Sequence, residues 1–210
     1  MHFSVGSTLL LVAFFLGNTI AEGRDLFDFN REGKNPRWQI VNDGVMGGRS
    51  QSQYRVVADG YLEFKGILSL ENNGGFASVR LLGEAMKLKA GDTVVARVRG
   101  DGRTYTFNLY DRKDFRGYSF RKTFKTEKDE WIEVEFPVDD FVATWRGRTF
   151  RNQQLDATRV TGLGFLLGDK KPGDFRLDVD WIRVEQTEDC LLYTSDAADE
   201  GLGVDLGGRR

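Results

Sequence analysis

The chain has 210 residues and a formal net charge of -2, with acidic and basic residues mixed along its length. That length suits one domain of ordinary size, and the absence of a long basic block argues against nucleic-acid binding. Its single histidine, His2, and its single cysteine, Cys190, lie at opposite ends. The body of the chain therefore lacks a Ser-His-Asp or Cys-His catalytic set and a His- or Cys-ligated zinc or iron site.

The amino-terminal segment STLLLVAFFLGNTIA, residues 7–21, is apolar, too short to span a bilayer comfortably and followed by charged sequence. This pattern is typical of a signal peptide, so we assign residues 1–21 to one, with cleavage before Glu22. We therefore expect export to a secreted, periplasmic or endomembrane location. The alternatives are mitochondrial localisation, although a presequence would be Arg-rich and amphipathic, and a membrane anchor formed by the uncleaved segment.

The most specialised stretch is WQIVNDGVMGGRSQS, residues 38–52, which concentrates three glycines, an Asn-Asp pair, a methionine and an arginine. A Walker phosphate loop is excluded, because its spacing is one residue short, its lysine is replaced and strand-like sequence follows it. One interpretation is a wide turn capped by Asn42 and Asp43. The apolar residues expected to pack under such a turn are Trp38, Val41, Val45 and Met46. The other interpretation is a binding loop, since long ordered loops often carry function.

Across the body of the chain, apolar and polar residues alternate with a period of two, which is typical of strands with one wet face. The clearest strands are YLEFKGILSL, TVVARVRG, RTYTFNLYD, WIEVEFPV, VTGLGFLLG and DFRLDVDWIRVE. In the last of these, the alternation places Phe175, Leu177, Val179 and Trp181 on the apolar face. Many short strands separated by Gly- and Asp-rich turns predict a single all-β domain, a sandwich or barrel of antiparallel sheets.

The dipeptide Asp101-Gly102 lies between two of these strands and predicts a tight hairpin, because both residues tolerate a positive φ. The tripeptide Arg99-Gly100-Asp101 matches the integrin-recognition sequence, but the turn explains the presence of all three residues. We therefore assign no adhesive role to this tripeptide.

The adjacent residues Asp139 and Asp140 are the obvious carboxylate pair for a glycosidase-like enzyme. Neighbouring residues on a strand point to opposite faces, so the two could share a site only within a turn. The pair predicts a solvated turn after Pro137, and we predict that the protein is not an enzyme.

From Cys190 onward, the sequence CLLYTSDAADEGLGVDLGGRR loses the strand alternation and most of the aromatic content. We treat residues 189–210 as a disordered or artefactual tail and assign Cys190 no function. The folded domain is therefore expected to span residues 22–188.

Six motifs occur in a fixed order along this domain. They are W-x-I-V-N-D-G-V-M-G-G-R-S-Q-S from Trp38, FKGILSLENNGGFASVR from Phe64, VRGDGRTYTFNL from Val98, W-x-x-V from Trp131, FPVDDF from Phe136 and GDFRLDVDWI from Gly173. Together they resemble the complex I intermediate-associated protein 30 family, from about Leu26 to Val184. The resemblance implies a galactose-binding-like jelly-roll β-sandwich. It also implies a non-enzymatic chaperone that assembles respiratory complex I (NADH:ubiquinone oxidoreductase) by binding protein intermediates of the membrane arm, with no cofactor.

The three most family-like segments supply the candidate binding residues, which serve either a partner or the fold itself. They are Asp43, Gly47, Gly48, Arg49, Asn73, Gly74, Gly75, Arg99, Asp101 and Arg103. We expect the first two segments to be neighbours, with Asp43 or Arg49 bonded across them to backbone or to an opposite charge. No metal site is predicted, because no D-x-D-x-D-G loop occurs.

The alternative function is an extracytoplasmic module that binds a carbohydrate or another small ligand. Such modules stack sugars on exposed aromatic side chains and bond them through a few polar groups. The candidates are Trp145 in FVATWRGRTF, Tyr110 and the loop at Asp43. Trp145 also has a structural interpretation, as a rim tryptophan that covers the core.

Overall fold

The computed structural model describes residues 23–30, 36–111 and 117–186. The predicted all-β class is confirmed, because these ranges hold thirteen strands, four short 3-10 segments and no α-helix. The strands are β1 (Arg24–Asp28), β2 (Gln39–Asn42), β3 (Gln51–Val56), β4 (Leu62–Leu68), β5 (Ala77–Leu82), β6 (Thr93–Gly100), β7 (Thr104–Tyr110), β8 (Ser119–Lys125), β9 (Trp131–Pro137), β10 (Val142–Trp145), β11 (Arg148–Phe150), β12 (Gly162–Leu167) and β13 (Gly173–Glu185). Among the described residues, no helix is long and apolar enough to cross a membrane. The signal peptide assigned to residues 1–21 and the tail assigned to residues 189–210 lie outside the described part.

The strands form two antiparallel sheets. The six-stranded sheet has the order β3-β4-β13-β6-β9, with β1 also paired to β13. The seven-stranded sheet has the order β11-β10-β8-β7-β12-β5-β2. Strands that follow one another in the chain often lie in different sheets, so their connections cross from one sheet to the other, as is common in β-sandwiches.

Aromatic side chains from both sheets meet in the core between them. Phe107 of β7 stacks on Phe136 of β9 at a centroid distance of 4.6 Å, and Phe165 of β12 lies 5.1 Å from Phe107. All three are fully buried, and burial of each such side chain stabilises the fold by roughly 2 kcal/mol. The period-two alternation therefore sends one face of each strand into a shared core, as predicted.

Strand β13 departs from the predicted alternation near its middle. The register between β13 and β6 shifts after Val179, which marks a β-bulge. A bulge adds one residue to a strand and so exchanges the faces beyond it. Ile182 and Val184 therefore enter the core, while Trp181 turns outward under the guanidinium of Arg183, 4.1 Å from its ring centroid. The prediction that Trp181 continues the apolar face was wrong.

The Asp101-Gly102 turn is tight, with Gly102 at a φ of +84°, but it is not a hairpin. Strand β6 pairs with β9 and β13, whereas β7 pairs with β8 and β12, so the turn crosses from one sheet to the other. A dipeptide that tolerates positive φ permits any sharp reversal, and the sequence alone does not show which sheet receives the next strand.

The solvated turn predicted after β9 is confirmed. Val138–Asp140 forms one 3-10 turn, and both of its carboxylate residues are exposed. Asp139 accepts a hydrogen bond from the backbone N–H of Gly91 (3.2 Å), and Asp140 pairs with Lys122.

Five connections run between the sheets at one end of the sandwich, which we call the crossover end. They are residues 43–50, 69–76, 101–103, 126–130 and 168–172. The strand registers place the end of β2, the start of β5 and the end of β12 side by side there. The fold therefore gathers the three family-like segments at this end.

Candidate functional site

Asp43 joins two connections of the crossover end from a fully buried position. It follows β2 directly, at the start of the 3-10 segment Asp43–Met46. Its carboxylate accepts hydrogen bonds from the backbone N–H (2.9 Å) and hydroxyl (2.5 Å) of Ser50. It also accepts hydrogen bonds from the backbone N–H groups of Gly75 (2.6 Å) and Phe76 (3.3 Å). The predicted contact between the first two family-like segments is confirmed, and Asp43 makes it.

The hydrogen bonds also keep Asp43 ionised. Burial raises the pKa of a carboxyl group, but the donors from Ser50, Gly75 and Phe76 outweigh burial here. They hold the pKa of Asp43 below its ordinary value of 3.8. At neutral pH the buried charge is therefore compensated by peptide and hydroxyl dipoles.

Two glycines make room for this carboxylate. A Cβ on Gly48 would lie 2.3 Å from the Cγ of Asp43, and one on Gly74 would lie 2.6 Å from its Oδ2. Gly47 has open space around it, but its φ is +89°, a backbone conformation that residues other than glycine rarely adopt. Gly47 thus permits the backbone conformation of the loop, while Gly48 and Gly74 let the backbone approach the Asp43 carboxylate closely.

The rim of the same loops is polar and exposed. Arg49 pairs with Glu71 at 2.7 Å, with both side chains mostly in solvent. The amide of Asn72 donates to the carbonyl oxygen of Gly47 at 3.2 Å, and Asn73 holds a φ of +59°. The Arg49 pair contributes little to stability at this exposure, so Arg49 remains available to a partner.

Large apolar side chains point outward beside this rim. Met46 is 66% exposed, so the prediction that it packs under the turn was wrong, whereas Trp38 is buried as predicted. The 3-10 turn that starts at Asp43 leaves Met46 at its outer edge. Ile67 and Leu70 are exposed as well, in β4 and in the connection that follows it. We call Met46, Ile67 and Leu70 the apolar fringe.

The third family-like segment fixes a different connection. Arg103 donates to both carboxylate oxygens of Asp169 (3.0 and 2.7 Å) and to the carbonyl oxygens of Lys171, Gly173 and Asp174. Burial raises the pKa of Asp169, yet the hydrogen bonds from Arg103 and Lys171 hold it below its ordinary value. Arg103 therefore ties the connection between β12 and β13 to the start of β7.

Asp101 and Arg99 are also held by the fold. The Asp101 carboxylate accepts from the backbone N–H of Arg176 (3.0 Å) and from the hydroxyl of Tyr105 (3.1 Å). Arg99 donates to Asp178 on the outer face of the six-stranded sheet, and its guanidinium lies 4.7 Å from the ring centroid of Trp131. These contacts fix Arg99 and Asp101 within the fold.

The proposed carbohydrate residues do not form one exposed site, because Tyr110 is buried and Asp43 lies far from Trp145. Trp145 is 45% exposed at the end of β10, with the guanidinium of Arg146 5.1 Å from its ring centroid. That position lies at the end of the seven-stranded sheet opposite the crossover end, because Thr144 pairs with Ser119 at the start of β8. Asp43 is buried at the crossover end, so it cannot share a ligand with Trp145.

Sequence reasoning missed a cavity of about 110 Å³ near Trp145. Its lining includes Arg80, Tyr110 and Arg121 on the outer face of the seven-stranded sheet. No local pattern indicated it, because its lining residues come from separate strands that only the fold brings together. Within the described residues, no group of three or more His, Cys, Asp or Glu is placed to hold a metal ion.

Comparison with solved structures defines the class of protein. The fold superposes on the family 11 carbohydrate-binding module of a cellulosomal cellulase of Clostridium thermocellum with a TM-score of 0.57 and 15% identity, covering 78% of this chain and 95% of that module. It also superposes on part of an agarase, with a TM-score of 0.53 and 12% identity over 79% of this chain and 24% of the agarase. At such identities the likeness concerns the fold alone. The chain is a galactose-binding-like β-sandwich.

Sequence comparison then gives the family. Residues 27–179, well over half of the chain, match the family described as Complex I intermediate-associated protein 30, and the chain belongs to that family. The mitochondrial protein of that name from Mus musculus is 27% identical over 78% of this chain and 56% of its own length. The probable counterpart from Caenorhabditis elegans is 31% identical over 62% of this chain and 39% of its own length. The chain thus spans about half the length of these relatives.

Proposed function

We propose that this protein is a non-enzymatic binding module that acts as an assembly factor, or chaperone, for respiratory complex I (NADH:ubiquinone oxidoreductase). The observation that carries the proposal is the family match over residues 27–179, which includes the loop around Asp43. Relatives carry the name of a complex I intermediate-associated protein. The function rests on protein contacts made by one domain, residues 22–188.

The apolar fringe is the surface that we assign to the partner. Met46, Ile67 and Leu70 are three of the five large apolar side chains that are most exposed among the described residues. They lie in or beside the two connections that the buried Asp43 carboxylate joins. A loop that is already held by buried hydrogen bonds loses little conformational entropy on binding. Exposed apolar side chains beside a charged pair suit an apolar segment of an unassembled subunit.

Localisation forms part of the same proposal. The names of the relatives assign them to mitochondria, which favours the mitochondrial alternative over the export expected from residues 1–21. Those residues lie outside the described part. A fluorescent tag at the native carboxyl end distinguishes the two, because it should colocalise with a mitochondrial marker.

The test is a crosslinking pull-down of the full tagged chain from native membranes, with subunits identified by mass spectrometry. We expect enrichment of complex I subunits over an untagged control, and loss of that enrichment in the double variant Met46→Ser, Leu70→Ser. Val142→Ser is the matched control, because Val142 is also exposed and apolar but lies in β10.

Each outcome addresses a separate part of the proposal. Failure of the wild-type chain to enrich any complex I subunit would overturn the assembly function. Enrichment that persists in the double variant, or that is lost equally with Val142→Ser, would overturn the assignment of the fringe alone. Circular dichroism of each variant excludes unfolding as the cause.

A further inference from the structure

A row of four residues crosses the outer face of the seven-stranded sheet in register. Arg121 of β8 is opposite Asn108 of β7, Asn108 is opposite Gly164 of β12, and Gly164 is opposite Arg80 of β5. Their strand neighbours, such as Phe107 and Phe165, face the core, so this row faces outward. Gly164 lets β12 approach β5 closely, because a Cβ there would lie 2.5 Å from the carbonyl oxygen of Val79 and 3.2 Å from the Cγ of Arg80.

Both arginines are oriented by the same local device. Arg80 donates from Nε to the Oγ of Ser78 (2.9 Å), and Ser78 donates to the carbonyl oxygen of Val41 (2.6 Å). Arg121 donates from Nε to the Oγ of Ser119 (2.8 Å), and Ser119 donates to the carbonyl oxygen of Thr144 (3.3 Å). Two Ser-x-Arg sequences on separate strands thus hold two guanidinium groups through Nε.

The arginines line a cavity of about 110 Å³ that we call the arginine cavity. Arg146 is a third arginine in the lining, and none of the described lining residues carries a carboxylate. Arg121 forms no ion pair with the residues that the structure describes, and the one hydrogen bond that its side chain makes there is to Ser119. Its two terminal amino groups therefore remain available for a fork-shaped contact with an oxyanion.

The guanidinium of Arg121 is partly removed from water in this cavity. Burial lowers the pKa of Arg121, and repulsion from Arg80 lowers it further, while the Tyr110 side chain acts in the opposite direction. Asn108 next to it is fully buried, and its Oδ1 has no hydrogen-bond partner among the described residues. This oxygen is an acceptor, so an ordered water molecule could satisfy it, whereas an oxyanion could not.

We propose that the arginine cavity binds a small molecule through a carboxylate or phosphate group, with Arg121 as the principal contact and Arg80 as a second cationic wall. A cavity of this volume accommodates one such group and excludes a folded partner. The site lies on a different face from the apolar fringe and is independent of the proposed function.

The test uses the full chain and isothermal titration with inorganic phosphate and with acetate, each against sodium chloride at equal ionic strength. We expect saturable binding of one or both anions, and the stronger of the two identifies the group. Arg121→Gln should weaken binding on the order of tenfold or more. Arg121→Lys should retain part of the affinity, because it keeps the charge but loses the fork.

The matched control is Arg151→Gln, which removes one positive charge from an exposed turn after β11. Binding should be unchanged in this variant. The proposal is overturned if neither anion binds saturably, or if Arg121→Gln binds as well as the wild-type chain. It is also overturned if Arg151→Gln and Arg121→Gln lose affinity equally, since a diffuse charge effect would then explain the binding.

Discussion

At the scale of single residues, Asp43 shows how a buried charge can be held without a cation. Its carboxylate takes two donors from Ser50 and two from the backbone of residues 75 and 76. Arg49, which belongs to the same loop, pairs instead with Glu71 on the surface. The four donors satisfy the lone pairs of the Asp43 carboxylate. Removal of this carboxylate would leave buried N–H groups without hydrogen-bond partners.

We predict that Asp43→Ala lowers the free energy of unfolding by about 3 kcal/mol, because it leaves several buried donors unpaired. Asp43→Asn should lower it by about 2 kcal/mol, since the amide keeps the shape but places a donor against donors. Urea unfolding followed by tryptophan fluorescence measures both changes.

Asp59→Asn provides the control for these variants, because Asp59 is exposed in the turn between β3 and β4. Its unfolding midpoint should remain close to that of the wild-type chain. Equal midpoints for Asp43→Asn and the control would show that the carboxylate does not hold the two connections together.

At the scale of elements, the crossover connections are fixed by individual side chains. Strands have backbone ladders, whereas residues 43–50 and 69–76 depend on Asp43, and residues 168–172 depend on Arg103. Each of these side chains reaches far along the chain, since Arg103 lies 66 positions from Asp169. Loss of one of these side chains should therefore loosen the connections that it holds.

The glycines of the signature loop should divide into three classes when each is replaced by alanine. Gly44→Ala should be nearly neutral, because nothing lies within 4 Å of the added Cβ. Gly47→Ala should cost about 1 kcal/mol from its positive φ. Gly48→Ala should cost most, about 2 kcal/mol or more, because the Cβ displaces Asp43.

Thermal unfolding of the three alanine variants measures this order directly. The double variant Gly48→Ala, Asp43→Asn serves as a coupling test, because its loss should be smaller than the sum of the two single losses. The same cost at all three glycines would contradict the role of close approach at Gly48.

The contacts of Arg103 give a second prediction at this scale. Arg103→Lys should lower the free energy of unfolding by about 2 kcal/mol, since lysine cannot reproduce the forked contact with Asp169 and the carbonyl groups together. Arg49→Lys is the matched control and should change it by less than about 0.5 kcal/mol, because its ion pair is exposed. Chemical unfolding of both variants tests the difference.

The sequence predicts a strand where its own residues alternate between apolar and polar. It does not predict the features that depend on pairing with a strand far away in the chain. The alternation of β6, β7 and β9 appears in the sequence because each strand has one face in the core. The short strands β1, β10 and β11 have no such signal, since each is defined by the neighbour that it pairs with. The bulge in β13 likewise depends on its register with β6.

The candidate site was predictable as a neighbourhood but not in its detail. The sequence indicates that the segments around Asp43 and Gly75 meet, because both belong to the motifs of one family. It does not indicate that Asp43 is buried, since Gly75 donates to it from 32 positions along the chain. The sequence also does not predict that Arg80 and Arg121 lie on the same cavity, because the register of two intervening strands brings them together.

At the scale of the whole molecule, buried carboxylates link stability to pH. Burial raises the pKa of Glu63, but hydrogen bonds and charges from Lys65 and Arg55 outweigh it and hold the pKa below 4.5. Asp43 and Asp169 are also lowered, below 3.8. The folded state therefore releases these three protons more readily than the unfolded chain does.

The sign of the pH dependence follows from these shifts. A carboxyl group with a lowered pKa in the folded state contributes its stability fully above its unfolded pKa and loses it as the pH falls through the folded pKa. The free energy of unfolding should therefore change little between about pH 7 and pH 5 from these groups. Below about pH 4.5 it should fall, by up to about 1.4 kcal/mol per pH unit for each proton taken up on unfolding.

Salt and mutation separate the contributions to this acid loss. Glu63 is held by Lys65 and Arg55, whose charges reach solvent and are screened by salt, whereas Asp43 is held by peptide and hydroxyl donors. We expect Asp43→Asn to flatten the acid limb of a plot of unfolding free energy against pH, and to do so equally in low and high salt. Glu63→Gln should flatten it in low salt and have less effect in high salt. A wild-type chain whose stability is constant down to pH 3 would contradict the shifts themselves. An acid limb that is unchanged in Asp43→Asn would instead assign the loss to the other carboxylates.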